Sequence, residues 1–299
     1  MPSLQARLFN LYLRLTLKPK PIHVIDPALL RMNTDKIAPK KTPAGITLDI
    51  VSDGALKGEW HRAANAEAGR TVLYLHGGGY VFGSPKSHRG LTFELAQQAR
   101  ADVFSLDYRL APEHPYPAAV DDALAAYQRL LEEGRDPAAI VVGGDSAGGG
   151  LSLALLLCCK ERALPMPAGA VLYSPWTDLA ATGASYDVNE SSDVMFKKLH
   201  VAEGARRYYG DADPKTPLIS PLYADLSGLP PMLTFVSDTE LLLDDSTRLH
   251  EKLIAAGVDA RLVTERGLAH VWPLFYPSFP EAGKSIAQSA DFIRERTAA

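Results

Sequence analysis

The sequence predicts an α/β protein built on a mostly parallel sheet of eight strands with flanking helices. From residue 71 onward, short apolar runs alternate with amphipathic helices, and this alternation is typical of a parallel sheet. Before that point, the Asp53-Gly54 pair indicates a hairpin, so only the second strand runs against the others. The 299 residues, of which 46% are hydrophobic, are enough for one large core and a small accessory layer.

The N-terminal residues predict an amphipathic helix with four leucines on one stripe: Leu4, Leu8, Leu11 and Leu15. We expect this helix to pack against its own protein, with attachment to a membrane surface as the alternative. Arginines interrupt the apolar run and no cleavage site follows, so neither a signal peptide nor a membrane span is expected. Residues 18–43, rich in proline and lysine, predict a loose arm with one short helix.

Beyond the arm, the elements can be placed in order. The strands are expected at residues 46–51, 56–62, 71–75, 101–107, 140–143, 169–173, 232–237 and 260–265. The helices are expected near residues 87–98, 118–133, 244–256 and 280–296, and after Ser146. Residues 177–230 are too many for a simple crossover and contain a helix-like stretch, so they predict an inserted lid.

Charge and cysteine content restrict the function and the location. A net charge of −4 without any basic block argues against a nucleic-acid partner. The two cysteines, Cys158 and Cys159, are neighbours in a predicted helix, where a mutual bridge would be strained. A reducing compartment, the cytoplasm, is therefore expected.

A candidate nucleophile lies where the fifth strand turns into a helix. Gly144-Asp145-Ser146-Ala147-Gly148 fits the G-x-S-x-G pattern, in which small residues let a strained serine stand between strand and helix. The same residue types also occur in ordinary strand-to-helix turns, but the surrounding strand and helix favour a catalytic Ser146.

A serine hydroxyl needs a base within hydrogen-bonding distance, and that base needs a carboxylate to orient it. Asp238 follows the seventh strand and His270 follows the eighth, so both are expected at the carboxyl edge of the sheet. Ser146, Asp238 and His270 also have the chain order of α/β-hydrolases. Three nearby carboxylates are alternatives for the acid: Glu240, Asp244 and Asp245. The last two suit the first turn of the following helix.

The third strand is followed at once by His76-Gly77-Gly78-Gly79-Tyr80. Consecutive glycines let backbone N–H groups face a ligand, as an oxyanion hole requires. Gly77 and Gly78 are the favoured donors, with the Ala147 N–H at the helix start as a further one.

Together these blocks resemble the hormone-sensitive-lipase family of bacterial esterases. The shared blocks are His76-Gly77-Gly78-Gly79-Tyr80, the stretch from Asp107 to Pro115, and Gly144-Asp145-Ser146-Ala147-Gly148-Gly149. The resemblance implies an α/β-hydrolase fold and hydrolysis of carboxylic esters without metal or cofactor. It also implies a cap made of residues 1–45 and of a second segment within 177–230, the catalytic domain being 46–299. It supports Asp238 and His270, although Asp238-Thr239-Glu240 stands where many relatives have Asp-Pro-Leu.

The sequence thus predicts a serine carboxylesterase that acts on short-chain esters, with lactones as further substrates. The expected partner is a small-molecule ester, and a homodimer is possible. The rival interpretation is a non-catalytic small-molecule receptor on the same fold. The presence of His270 argues against it, since function is a property of the site rather than of the fold.

Overall fold

The computed structural model describes residues 1–20, 24–54 and 56–298. Its strands are β1 (Ile46–Asp53), β2 (Leu56–Ala63), β3 (Thr71–Leu75), β4 (Asp102–Leu106), β5 (Ile140–Asp145), β6 (Gly169–Tyr173), β7 (Met232–Ser237) and β8 (Ala260–Glu265). They form one sheet in the order β1-β2-β4-β3-β5-β6-β7-β8, in which β2 is antiparallel to both its neighbours and all other pairs beyond β2 are parallel. The predicted sheet is confirmed, while residue 55 of the hairpin turn lies outside the described residues.

Helices cover both faces of the sheet, which explains why β3, β5, β6 and β7 are buried along their whole length. The helices are α1 (Leu4–Thr16), α2 (Pro27–Thr34), α3 (Pro85–Ala99), α4 (Ala118–Glu132), α5 (Ala147–Glu161), α6 (Ser185–Val188), α7 (Lys198–Tyr209), α8 (Leu243–Ala255) and α9 (Pro280–Arg296). Helices α3 and α9 bury one face of the sheet, and α4, α5 and α8 bury the other. Within the described ranges, no helix has both the length and the apolar character needed to cross a membrane.

Helix α1 is present, but the expectation that its leucine stripe packs inward is wrong. Ala6 and Leu13 are its buried residues, and Phe9 packs beside the rings of Phe275 and Phe279 at 4.8 and 5.5 Å between centroids. Hydrogen bonds fix this rotation, since Asn10 donates to the Gly267 carbonyl at 2.7 Å. The four leucines of the stripe are left exposed, with 67, 59, 51 and 68% of their surface accessible for Leu4, Leu8, Leu11 and Leu15.

The arm after α1 contains the expected short helix, α2, followed by a single 3-10 turn at Asp35–Ile37. Residues 21–23 of this arm lie outside the described part of the chain. Arg31 on α2 fastens the arm to the loops that follow β3 and β4: its guanidinium donates to the carbonyls of Val81 and Ala111 and pairs with Glu113 at 2.7 Å. Arg31 therefore ties α2 to the chain just after residues 76–80, the glycine-rich loop.

Candidate active site

Ser146 occupies the sharp turn between β5 and α5. Its backbone has a φ of +52° and a ψ of −121°, a conformation that costs energy for any residue with a Cβ. The glycines on either side make the turn possible: a Cβ on Gly144 would lie 2.3 Å from the Gly148 carbonyl oxygen, and one on Gly148 would lie 1.9 Å from that of Leu75. The sequence pattern therefore corresponds to a real steric requirement.

His270 reaches this serine from the loop after β8. Its Nε2 lies 2.9 Å from the Ser146 Oγ, and the side chain is buried apart from this contact. The backbone of the loop is fixed at the adjacent residue, where the Val271 N–H donates to the Ser174 Oγ at 3.1 Å. The structure thus brings together two of the three residues that the sequence assigned to the site.

The carboxylate beside His270 belongs to Glu240, and this corrects the expectation of Asp238. Glu240 Oε2 forms a short hydrogen bond with His270 Nδ1, and Glu240 is itself 1% exposed. Its Oε1 accepts hydrogen bonds from the Ser174 hydroxyl at 2.9 Å and from the Ser237 N–H at 2.8 Å. Every oxygen of this buried carboxylate therefore has a partner, as a buried charge requires.

The side chain of Asp238 binds a backbone group instead of His270. Its Oδ1 accepts the Gly267 N–H at 2.7 Å and so ties the end of β7 to the turn after β8. The chain then turns back toward the sheet, and the longer side chain of Glu240, two residues on, reaches the histidine. The missed signal was composition: Glu240 is followed by three leucines, and a carboxylate in such an apolar stretch needs a buried partner.

The other carboxylates considered for the acid also have structural partners. Asp245 is fully buried and accepts the backbone N–H groups of Thr177 and Asp178, both at 2.8 Å. Burial raises the pKa of Asp245 to about 8. Asp244 accepts the Ser185 N–H at 3.0 Å. Both tie α8 to the segment between β6 and β7, away from His270.

The pKa of His270 results from two opposing effects. Burial disfavours the imidazolium and lowers the pKa, whereas the charge of Glu240 and its hydrogen bond to Nδ1 raise it. The net result is a pKa above the ordinary value of histidine. The imidazole is therefore well suited to accept a proton from Ser146.

The glycine-rich loop lies beside the serine, but its donors differ from those expected. The Gly77 N–H donates to Asp145 Oδ1 at 3.0 Å, so it is not available to an oxyanion. Among the described residues, the N–H groups of Gly78, Gly79 and Ala147 have no acceptor. The expectation of Gly77 is thereby corrected, because the carboxylate next to the nucleophile already binds its N–H.

Asp145 holds the loop and the nucleophile together. It also accepts the Tyr74 hydroxyl at 2.8 Å, and His88 lies within 3.3 Å of it. Burial would raise the pKa of the Asp145 carboxyl, but the charge of His88 together with these hydrogen bonds lowers it below the usual range. The loop is therefore fixed by a charged side chain that neighbours Ser146 in sequence.

A cavity opens onto Ser146 and His270, with about 1090 Å³ of space including its mouth. Two distant parts of the chain contribute its walls. The arm contributes Leu30, Thr34 and Ile37, and the segment between β6 and β7 contributes Trp176, Asp193, Met195, Phe196, His200, Val201, Gly204 and Arg207. A mostly apolar cavity with a few convergent polar groups is the usual form of a small-molecule site.

The remaining residues of the central sequence block act within the scaffold. Arg109 pairs with Asp122 at 2.7 Å, and Asp107 pairs with Lys57 at 2.9 Å. These ion pairs satisfy all four side chains without any substrate. No group of three or more His, Cys, Asp or Glu side chains that could hold a metal ion is present in the described ranges.

Known proteins resemble this chain in sequence and in fold. Residues 72–274 match a family described as alpha/beta hydrolase fold. The chain is 42% identical to an acetyl-hydrolase of Streptomyces hygroscopicus over 83% of each chain. It is similar to a crystal structure of EstE5 soaked with ethyl alcohol, at a TM-score of 0.95 and 40% identity over 99% of this chain and 100% of the other. It is also similar to an esterase of the bacterial hormone-sensitive lipase family, at a TM-score of 0.92 and 39% identity over both whole chains.

Proposed function

We propose that this chain, which belongs to the α/β-hydrolase family and is a carboxylic ester hydrolase, is a serine esterase of short-chain esters. Its proposed triad is Ser146, His270 and Glu240. The observation that carries the proposal is the distance of 2.9 Å between Ser146 Oγ and His270 Nε2, with Glu240 bonded to the other ring nitrogen. This is the arrangement of nucleophile, base and orienting acid that acyl transfer needs.

In the proposed reaction, Ser146 Oγ attacks the ester carbonyl carbon while His270 Nε2 takes the hydroxyl proton. The negative oxygen of the tetrahedral intermediate accepts hydrogen bonds from the N–H groups of Gly78, Gly79 and Ala147. The carbon–oxygen bond to the leaving group breaks, and His270 returns its proton to the departing alcohol. Water then attacks the acyl-enzyme with His270 again as base, which releases the acid and restores Ser146. A strained lactone would be opened by the same steps.

The proposal is tested by labelling and by assay. A fluorophosphonate probe should attach to one residue, identified as Ser146 by mass spectrometry, and should abolish hydrolysis of p-nitrophenyl acetate and butyrate in proportion to labelling. A panel of small lactones assayed in parallel would show whether internal esters are also substrates. Full labelling of another serine, or full labelling of Ser146 with unchanged turnover, would contradict the assignment.

A pH dependence follows from the raised pKa of His270. The base acts only when neutral, so kcat/KM should rise with pH through the raised pKa, with a midpoint above the value of about 6.5 of free histidine. In Glu240→Gln the charge that raises this pKa is gone, so the midpoint should move to lower pH. The measurement is kcat/KM from pH 5 to 9 with chemistry rate-limiting. A flat profile, or a midpoint unmoved in Glu240→Gln, would contradict the assignment.

The two wall segments suggest the cap that the sequence predicted, formed by residues 1–45 and by part of 177–230. Such a cavity limits the length of the substrate. Each methylene that fits gains about 0.8 kcal/mol, so kcat/KM should rise over the shortest acyl chains and fall once the cavity is full. We expect an optimum at roughly four to six carbons and little activity on sixteen-carbon esters.

Gly204 on α7 offers a variant that tests this length limit. A Cβ there would be 3.9 Å from the ring of Trp176, so a larger side chain must extend into the cavity. Gly204→Leu should shift the optimal acyl-chain length toward acetate. Ala202→Leu, on the exposed face of the same helix, should leave the dependence of kcat/KM on acyl-chain length unchanged. Equal profiles for the two variants would contradict the proposed wall.

A cytoplasmic location also stays a proposal. It is supported by Cys158 and Cys159, which are both buried free thiols.

A further inference from the structure

Helix α1 has two apolar faces, of which only one is packed. Ala6 and Leu13 are buried against the protein. About half a helical turn away lie the four leucines of the stripe, Leu4, Leu8, Leu11 and Leu15, each of them at least 51% exposed. Next to them Tyr12 is 59% exposed. A row of four exposed leucines on one helix is unusual, since large apolar patches on a protein surface commonly mark binding sites.

The helix is held in a fixed rotation, so this face cannot turn inward. At its start, the N–H and the hydroxyl of Ser3 bind the carboxylate of Glu281 at 2.6 and 2.9 Å. In its middle, Asn10 donates to the Gly267 carbonyl. At its end, Lys18 donates to the carbonyls of Glu190 and Asp193, both at 2.5 Å. The stripe is thus presented to the outside by a rigid support.

The charged side chains of α1 itself are all basic. The helix contains Arg7 and Arg14 and no acidic residue, whereas the whole chain has a net charge of −4. Arg7 and Arg14 lie along one edge of the stripe, and Lys20 follows the helix. In the described part of the chain none of these three pairs with a carboxylate, and Arg14 donates only to the Ser192 carbonyl at 3.2 Å. The exposed leucines are therefore bordered by two arginines that form no ion pair with a carboxylate of the described residues.

We propose that α1 docks onto an anionic lipid surface, with its leucine stripe in the acyl boundary and its arginines among the headgroups. An interfacial helix has this combination of an apolar face and a basic border. A second copy of the chain fits less well, because α1 has no acidic side chain that could pair with the arginines on the α1 of another copy. The opposite side of α1 packs on Met195 and Phe196, which line the active-site cavity, so docking would bring that cavity close to the lipid.

Docking is independent of the catalytic assignments and is tested by binding alone. The full chain should co-sediment with vesicles of equal parts phosphatidylglycerol and phosphatidylcholine, but not with vesicles of phosphatidylcholine only. In Leu8→Gln/Leu11→Gln, binding to the anionic vesicles should weaken by about tenfold or more, because two leucines that the lipid would bury are lost from the contact. Ile50→Gln and Ile254→Gln are matched controls, since these isoleucines are 75 and 54% exposed on other elements, and should bind like the wild type.

A second variant tests the charge. Arg7→Gln/Arg14→Gln should also weaken binding to the anionic vesicles, and raised salt should weaken binding of the wild type. Unfolding temperatures and p-nitrophenyl acetate turnover of all variants should stay near wild type, since every replaced side chain is exposed. The proposal is overturned if Leu8→Gln/Leu11→Gln binds as tightly as the wild type. It is equally overturned if the wild type binds neither kind of vesicle and sediments as a dimer, whereas Leu8→Gln/Leu11→Gln sediments as a monomer.

Discussion

Ser146→Ala is expected to lower kcat for p-nitrophenyl esters by about a millionfold, the loss seen when a triad serine is removed from a model hydrolase. The variant lacks the Oγ of the proposed nucleophile, which lies 2.9 Å from the proposed base. It should nevertheless fold normally, because alanine and serine bear the same strain at a φ of +52°. Activity is measured by release of nitrophenol, and folding by thermal unfolding.

Ser191→Ala, at an exposed serine between β6 and β7, is the control and should keep full activity. If Ser146→Ala retained a tenth of the wild-type turnover, the nucleophile would have to be sought elsewhere.

Glu240→Gln should lower kcat by about ten thousandfold, as occurs when a triad carboxylate becomes an amide. The amide nitrogen introduced by this substitution would face His270 Nδ1 and favour the tautomer with its proton on Nε2. That tautomer cannot take the proton of Ser146. By contrast, Asp238→Asn should lower kcat by less than about tenfold, because the side-chain oxygen of the asparagine can still accept the Gly267 N–H.

Comparing these two variants decides between the two carboxylates. Both proteins should be shown to fold by circular dichroism before their kcat values are compared. A larger loss in Asp238→Asn than in Glu240→Gln would restore Asp238 as the orienting acid and refute the assignment from geometry.

The difference between these carboxylates shows where sequence reasoning stops. Strand ends are marked by the apolar pattern, so the positions of Asp238 and His270 at the sheet edge could be predicted. Which carboxylate reaches the histidine depends on the path of a few loop residues, and that path is set by hydrogen bonds to Ser174 and Gly267, distant in sequence. A resemblance to relatives with a different loop sequence could not supply this information.

Helix α1 illustrates a second limit. Its length and its amphipathic pattern could be predicted from the spacing of the leucines, but the direction of its packed face could not. Both sides of the helix are apolar, and the choice between them is made by Phe275, Phe279 and Glu281 near the other end of the chain. Local periodicity contains no information about such distant partners.

The elements that could be predicted well are those whose requirements are local. Gly144 and Gly148 are needed because any Cβ would collide with the backbone, and the central parallel strands such as β3 and β5 are buried on both faces. In the glycine-rich loop, the sequence indicated the right segment but not which N–H groups are available. That choice depends on the Asp145 carboxylate, whose role as an acceptor for Gly77 is apparent only in three dimensions.

The cavity wall and the proposed reacting groups lie on different segments of the chain. Ser146, Glu240 and His270 follow β5, β7 and β8, whereas Val201 and Gly204 lie on α7, within a segment inserted between β6 and β7. Such a division makes the protein suitable for directed evolution at α7, because its cavity-facing positions can be changed while the hydrogen bonds from Asn189 and Asp193 to the loop that contains Glu240 stay in place. A library restricted to the cavity-facing residues of α7 would explore new substrate shapes, whereas changes at Asp145 would remove the acceptor of the Gly77 N–H and loosen the glycine-rich loop for every substrate at once.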